Sequence, residues 1–136
     1  MKREDTGMLQ TGILNPHLLD LIARIRHTNT VVIADWASPY WPEIETVDIS
    51  LTHNIPTVLD VLDVLTPVFK IGRIWQAEEF VTTNSADVVT RFAKSFGEIP
   101  LTREAHIDFK KRVPGAIGLI RTGDRTAYGN LILESV

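Results

Sequence analysis

Hydrophobic residues along the chain follow two different spacings, and these spacings alternate. After Asn15-Pro16, a pair that suits a helix N-terminus, apolar residues recur every three or four positions and predict a helix with one apolar face. The members of that face are Leu18, Leu21, Ile22 and Ile25. A continuous β-branched run at residues 30–34 follows, and it predicts a buried strand that ends beside Asp35.

The same two patterns continue through the rest of the chain. Further strands are predicted at residues 45–51, 68–75, 116–120 and 131–133. Further helices are predicted from Pro56 to before Pro67, from Asn84 or Ser85 to Gly97, and from Thr102 to about Arg112. Because helices and strands alternate, we expect an α/β domain with a three-layer α/β/α fold. The last two strands have no helix between them, so the sheet should be mixed rather than purely parallel.

The composition is that of an ordinary globular protein, and it argues against several classes. With 136 residues the chain fits one domain, residues 1–136. The net charge is -3 and the 14 Lys and Arg residues are scattered, which argues against nucleic acid as a partner. No apolar run is long enough to cross a membrane and the first residues lack a secretion signal, so we expect a cytoplasmic protein without membrane insertion. Cysteine is absent, and neither metal-binding histidine spacing nor a Gly-rich cofactor loop occurs, so we expect no metal and no cofactor.

A polar loop between the last two predicted strands is the best candidate for a ligand site. It contains Gly123 and Gly129, which allow a close backbone approach or a tight turn. It also contains Tyr128 and Asn130, whose polar groups can donate and accept hydrogen bonds. Such a loop suits a neutral ligand that is rich in hydroxyl groups. The alternative is that Tyr128 and Asn130 only hold the turn together.

Three further polar residues have chemistry that suits the same kind of ligand. Asp35 follows the carboxyl end of a buried strand, where ligands bind in open α/β sheets, although it could instead form a turn. His27, which we expect at the end of the first helix, is either a capping residue or a general acid/base. His106, in the predicted helix that ends near residue 112, is either a partly buried helix residue or a ligand contact. The residues alone leave these alternatives open.

Three segments together resemble one family of sugar isomerases. They are residues 27–35 (His-Thr-Asn-Thr-Val-Val-Ile-Ala-Asp), residues 106–111 (His-Ile-Asp-Phe-Lys-Lys), and residues 120–135 with their Arg-Thr-Gly-Asp and Tyr-Gly-Asn motifs. From about Gly12 onward the chain is similar to the D-ribose pyranase / L-fucose mutarotase family, with residues 1–11 as an N-terminal extension. The presence of His106 favours the ribose pyranase branch.

The resemblance implies a function, a site and an assembly. The implied enzyme is an isomerase that interconverts pyranose and furanose forms, or anomers, of a free monosaccharide by general acid–base catalysis, with D-ribose as the expected sugar. His27 is implied as the proton donor, and the implied sugar ligands are Asp35, His106, Tyr128, Gly129 and Asn130. A ring-shaped homo-oligomer is also implied, expected to be a decamer with its sites at subunit interfaces. The alternatives are a mutarotase for L-fucose or another sugar, and a non-catalytic sugar-binding accessory of an uptake system.

Two features of the chain raise further expectations. The segment after Asp35 carries Trp36, Tyr40 and Trp41. At least one of these rings could line the sugar pocket, and the alternative is that all three pack against protein. Residues 131–136 are an apolar segment expected to be exposed, which predicts that a subunit interface covers them.

Overall fold

A computed structural model describes residues 7–136 as six strands, five α-helices and one short 3-10 helix. The strands are β1 (Thr30–Ala34), β2 (Glu45–Asp48), β3 (Ile71–Ala77), β4 (Leu101–Glu104), β5 (Gly118–Arg121) and β6 (Leu131–Ser135). The α-helices are α1 (Pro16–Ala23), α2 (Val58–Leu65), α3 (Glu79–Thr83), α4 (Ala86–Phe96) and α5 (His106–Arg112). The 3-10 helix, Val113–Gly115, follows α5 directly. None of these helices is long and apolar enough to span a bilayer.

The strands form one mixed sheet in the order β2-β5-β1-β6-β3-β4. Strand β6 runs antiparallel to both of its neighbours, β1 and β3. The pairs β1–β5, β2–β5 and β3–β4 are parallel. The predicted α/β class and mixed sheet are therefore confirmed. The other five strands consequently direct their carboxyl ends to one edge of the sheet, where β6 begins.

The two faces of the sheet bury separate hydrophobic clusters. The larger cluster joins one face to α1, α2 and α4, with Leu21, Leu62 and Phe92 among its buried side chains. The smaller cluster joins the other face to α5, where Phe109 packs with Val32. Each fully buried side chain of this size contributes about 1.5–3 kcal/mol relative to exposure. The second face has a single α-helix of 7 residues above it, which leaves space for a cavity.

Local sequence correctly predicts how α1 and α4 begin. The side-chain oxygen of Asn15 accepts a hydrogen bond from the backbone N–H of Leu18 at 2.9 Å. The hydroxyl of Ser85 accepts one from Val88 at 3.3 Å. Both bonds satisfy backbone donors that the first turn of a helix leaves free.

The prediction of a helix from Thr102 is wrong in its first half. Residues 101–104 form strand β4, whose Leu101 lies opposite Ile74 of β3, and α5 begins only at His106. A strand of 4 residues takes its hydrogen bonds from a partner that is distant in sequence, which local periodicity does not reveal. Helix α3 was not predicted, and the strands expected at residues 45–51 and 68–75 lie at Glu45–Asp48 and Ile71–Ala77.

The expectation that a subunit interface must cover the final strand is also wrong. Strand β6 has an interior position in the sheet, and Leu131, Ile132 and Leu133 are each 0% exposed. Both sheet faces at β6 are covered within the chain, which explains the apolar sequence. An oligomer therefore needs a different argument.

Candidate functional site

The candidate residues gather at the sheet edge where five strands end and β6 begins. Asp35 follows the last residue of β1, and Asn130 precedes the first residue of β6. His106 is the first residue of α5, which begins just after β4. Tyr128 and Gly129 lie in the loop that leads into β6. The structure thus brings all the predicted site residues to one edge, with the exception of His27.

Asp35 is fixed by the loop that precedes β6. Its backbone N–H donates to the side-chain Oδ1 of Asn130 at 2.5 Å, and its carboxylate accepts from the backbone N–H of Ala37 at 3.0 Å. Burial raises the pKa of Asp35, hydrogen bonds from the Ala37 and Ser38 backbones oppose this, and the charge of Asp124 raises it further. A half-buried carboxylate of this kind can accept hydrogen bonds from hydroxyl groups of a ligand.

Residues 122–126 form a turn that supports the site through buried hydrogen bonds. Asp124 is 3% exposed, and its carboxylate accepts from the backbone N–H groups of Val58 at 2.8 Å and Thr126 at 2.7 Å. The first bond ties this turn to the N-terminus of α2. At Gly123, a Cβ atom would lie 2.0 Å from the carbonyl oxygen of Thr52. The glycine in this turn therefore serves a close approach between two backbone segments.

Tyr128, whose ring contacts His106, has a strained backbone. Its φ angle is 54°, in the left-handed region that costs about 1–3 kcal/mol for a residue with a side chain. Its ring meets the ring of His106 edge-on, with centroids 5.1 Å apart. The residue before Tyr128 is Ala127, and the side chain of Asn84 anchors it by donating to its carbonyl at 2.8 Å. The residue after Tyr128, Gly129, is buried. Strain that the surrounding structure maintains is common at functional sites.

His106 is positioned by a residue that the sequence did not reveal. Its backbone N–H donates to the carboxylate of Glu79, with oxygen distances of 3.0 and 3.2 Å. This bond caps α5, whose own N-cap residue, Ala105, makes no side-chain hydrogen bond. The imidazole ring is also stacked 6.3 Å from the ring of Phe109. Glu79 was missed because it belongs to α3, an element without a clear local signal.

A cavity of about 80 Å³ opens beside His106 and Asn130 on the face that α5 covers. Two further polar residues, Ser38 and Lys110, line it. Lys110 lies one helical turn after His106, a spacing from which the sequence could have revealed it. The apolar lining consists of Val32, Pro39, Trp41, Phe109, Val113 and Leu119. Ligand pockets are typically ~300–1,000 Å³, so this cavity in one copy of the chain holds only part of a sugar.

His27 lies at the opposite end of β1 from this cavity. Helix α1 ends at Ala23, so the expectation that His27 terminates the first helix is wrong. His27 is in the turn before β1, and it is exposed. The 5-residue strand between His27 and Asp35 spans roughly 16 Å. The two side chains therefore do not meet within one chain.

The other two histidines do not contribute to this cavity. His17 and His53 are exposed, and the ring of His53 contacts Trp36 edge-on with centroids 5.5 Å apart. In the part of the chain that the structure describes, no group of three or more His, Cys, Asp or Glu side chains could hold a metal ion.

Comparison with known proteins gives the family. Residues 8–136 match the RbsD / FucU transport protein family, and the chain belongs to it. A D-ribose pyranase of an Exiguobacterium species is 39% identical over 128 residues, which cover 94% of this chain and 97% of the relative. A D-ribose pyranase of Geobacillus thermodenitrificans is 37% identical over 128 residues, with 94% and 96% covered. The resemblance that the three sequence segments carry is confirmed.

Solved structures agree with the family. The structure of Bacillus subtilis RbsD complexed with D-ribose matches with a TM-score of 0.87 and 31% identity, and covers 94% of this chain and 97% of the other. The fucose mutarotase of Streptococcus pneumoniae, solved with L-fucose, has a TM-score of 0.73 and 17% identity, with 96% of each chain covered. At that identity the second match shows a shared fold alone.

Proposed function

We propose that the protein is an isomerase that interconverts the ring forms of a free monosaccharide, with D-ribose as its substrate. The observation that carries this proposal is the joint position of His106 and Asn130 on one small cavity. Asn130 accepts from the backbone N–H of Asp35, and the ring of Tyr128 contacts that of His106, so each of these two cavity residues is joined to another candidate residue. Relatives that span nearly the whole chain are D-ribose pyranases, which supports ribose as the sugar.

The reaction needs proton transfers that these side chains can perform or assist. Ring opening delivers a proton to the ring oxygen and removes one from the anomeric hydroxyl, and ring closure reverses both transfers. An imidazole can both donate and accept a proton, so His27 suits the role of proton donor. Positioned acid–base groups accelerate such steps by about 10²–10⁴-fold.

The remaining residues suit the task of holding the sugar. The Oδ1 atom of Asn130 accepts from the Asp35 N–H, and a hydrogen bond from the Asn130 side chain acts to lower the pKa of Asp35, so one N–H of the Asn130 NH₂ group is left to donate to a sugar hydroxyl. Asp35 can accept from hydroxyls, and His106 and Tyr128 can each donate or accept. We expect Gly129 to shape the loop around the sugar, because a Cβ atom there would lie 3.2 Å from the carbonyl oxygen of Thr126.

We further propose that each site forms between two copies of the chain. His27 and Asp35 lie at opposite ends of β1, and the cavity in one copy is too small for a whole sugar. Both observations are explained if one copy contributes His27 and another contributes Asp35, His106, Tyr128, Gly129 and Asn130. A closed ring of copies satisfies this arrangement at every interface, and we expect a decamer. The cytoplasm remains the predicted location of the protein.

Exchange NMR with a panel of aldoses tests the activity. The protein should accelerate exchange between the pyranose and furanose forms of D-ribose more than exchange of L-fucose. Faster exchange of L-fucose would favour a mutarotase instead. Saturable ribose binding without accelerated exchange would favour a sugar-binding accessory.

Complementation between two inactive variants tests the shared site. His27→Ala and Asn130→Ala should each keep the fold and abolish accelerated exchange. When the two are refolded together in equal amounts, about a quarter of the interfaces should contain both native residues, and exchange should return in proportion. If the mixture stays inactive while each variant retains the native oligomer size, the shared site is wrong. A monomer in light scattering at micromolar concentration would contradict the ring.

A further inference from the structure

Three aromatic residues follow Asp35, and the structure places them differently. Trp41 is half-buried, lines the cavity beside His106, and packs against the apolar cluster under α5. Trp36 is 40% exposed and contacts His53, outside the cavity lining. Tyr40 is 77% exposed and is also outside that lining. Of these three rings, Trp41 is therefore the one available to a ligand in this cavity.

The cavity lining combines two chemically different kinds of side chain. His106, Asn130, Lys110 and Ser38 offer hydrogen-bonding groups, whereas Trp41 is one of several apolar residues that offer hydrocarbon and ring surface. A pyranose has the same division, because its hydroxyl groups project outward while its ring carbons present C–H faces. Aromatic rings pack on apolar faces while a few polar groups fix orientation.

The size of the cavity indicates which part of the sugar enters it. At about 80 Å³ it is well below the ~300–1,000 Å³ typical of ligand pockets, so one edge of the sugar ring enters it rather than the complete ring. In the pyranose form of an aldopentose, C5 is a CH₂ group without a hydroxyl, so this edge can enter an apolar space at no cost in hydrogen bonds. In an aldohexose the same carbon carries a CH₂OH group, which needs more room than a methylene and would overfill the cavity.

We propose that Trp41 is a specificity-determining residue: its ring packs on the C–H face of the pyranose and closes the cavity around the C5 methylene, which selects aldopentoses over aldohexoses. This inference rests on the proposed ring-form isomerase activity. D-allose is the informative competitor, because it matches D-ribose at C2, C3 and C4 and adds a CH₂OH group at C5. The native protein should therefore favour D-ribose over D-allose by roughly 10–200-fold in kcat/KM.

Substitutions in the aromatic segment test the proposal, with exchange of both sugars measured by NMR. Trp41→Ala should raise the KM for D-ribose by roughly 3–10-fold, as expected for the loss of an aromatic contact. It should also reduce the preference for D-ribose over D-allose about tenfold, because the enlarged cavity admits the extra group. Trp41→Phe should retain most of the preference. Trp36→Ala and Tyr40→Ala are the matched controls, and both should behave as the native protein.

A fluorescence measurement covers the case in which Trp41→Ala does not fold. The chain has 3 tryptophans, so Trp36→Phe combined with Trp75→Phe leaves Trp41 as the single emitter. D-ribose should shift or quench its emission with saturation. In the protein that retains Trp36 alone, D-ribose should have no effect.

The outcomes separate this inference from the proposed function. If the native protein accelerates D-ribose exchange, but Trp41→Ala matches the two controls in KM and sugar preference, the role of Trp41 is wrong and the function stands. If the protein is active but the emission of Trp41 does not change when D-ribose is added, the role of Trp41 is likewise wrong and the function stands. If the native protein accelerates exchange of neither sugar, the proposed function fails, and the specificity role fails with it.

Discussion

Gly123 provides the most direct test of how the backbone around the site is packed. A Cβ atom at this position would lie 2.0 Å from the carbonyl oxygen of Thr52 and 3.1 Å from that of Ile55. Cβ contacts under 3.0 Å essentially do not occur, so Gly123→Ala must separate the two segments by about 1 Å. Both segments resist this shift, because the Gly123 N–H donates to Pro56 at 3.0 Å and its carbonyl accepts from Asn54 at 2.6 Å.

The expected cost follows from this overlap. Forcing extra volume into a packed site costs about 1–3 kcal/mol of unfolding free energy. For a domain of this size that lowers Tm by roughly 3–12 °C. The displacement also reaches the candidate site, because the carbonyl of Asp124 accepts from the N–H of Trp36, next to Asp35, at 3.0 Å. Since a displacement of about 1 Å can cost 10²-fold in rate, ribose exchange should fall well below the native rate even where the variant is folded.

Gly115→Ala is the matched control, measured by the same thermal melt and exchange assay. A Cβ atom at Gly115 meets nothing within 4 Å, and its φ angle is not in the left-handed region. That variant should be neutral or gain about 0.4–1 kcal/mol, because alanine restricts the unfolded chain. If Gly123→Ala matches Gly115→Ala in both Tm and exchange rate, the close approach described for residue 123 is wrong.

Two further substitutions test the electrostatics and the helix cap. The folded protein raises the pKa of Asp35 above 3.8, mainly by burial, so stability falls as the pH rises above 3.8 and the loss is complete above the folded pKa. Asp35→Asn should therefore raise the urea midpoint at pH 7, and this gain should disappear as the pH falls toward 3.8. Exchange activity should drop. An equal gain at pH 7 and near pH 3.8 would refute the raised pKa of Asp35. Glu79→Ala removes the cap on the His106 N–H and should cost about 1 kcal/mol in urea unfolding, whereas Glu79→Gln, which keeps an acceptor, should lose less. Identical midpoints for the two Glu79 variants would show that the cap contributes nothing.

Neighbouring residues are sufficient to predict those helices and strands whose stabilising contacts are close in sequence. Asn15 and Ser85 begin their helices through bonds to residues three positions later, and the sequence predicts both. The β-branched run at β1 also forms the strand that it predicts. The residues gathered at the sheet edge, Asp35 and His106 among them, were identified by resemblance combined with the rule that ligands bind where strands end.

The features that the sequence did not reveal depend on distant partners. Strand β4 exists because β3 pairs with it, and the cap on His106 comes from Glu79, so no window of neighbouring residues contains either cause. The apolar stripe continues to Ile25 and so predicts that His27 ends a helix, yet α1 ends at Ala23. Strand β6 was expected to be exposed because sequence alone does not report its interior position in the sheet.

The interior position of β6 has a consequence for how the chain folds during its synthesis. Of the six strands, β6 is the last to leave the ribosome, and it joins the unit β2-β5-β1 to the unit β3-β4. Until it arrives, β1 and β3 each present an unpaired edge, and such edges pair readily with other chains. Nascent chains therefore pass through a stage in which the β6 of one copy can complete the sheet of another. Exchange of this strand is the misassembly that this topology favours.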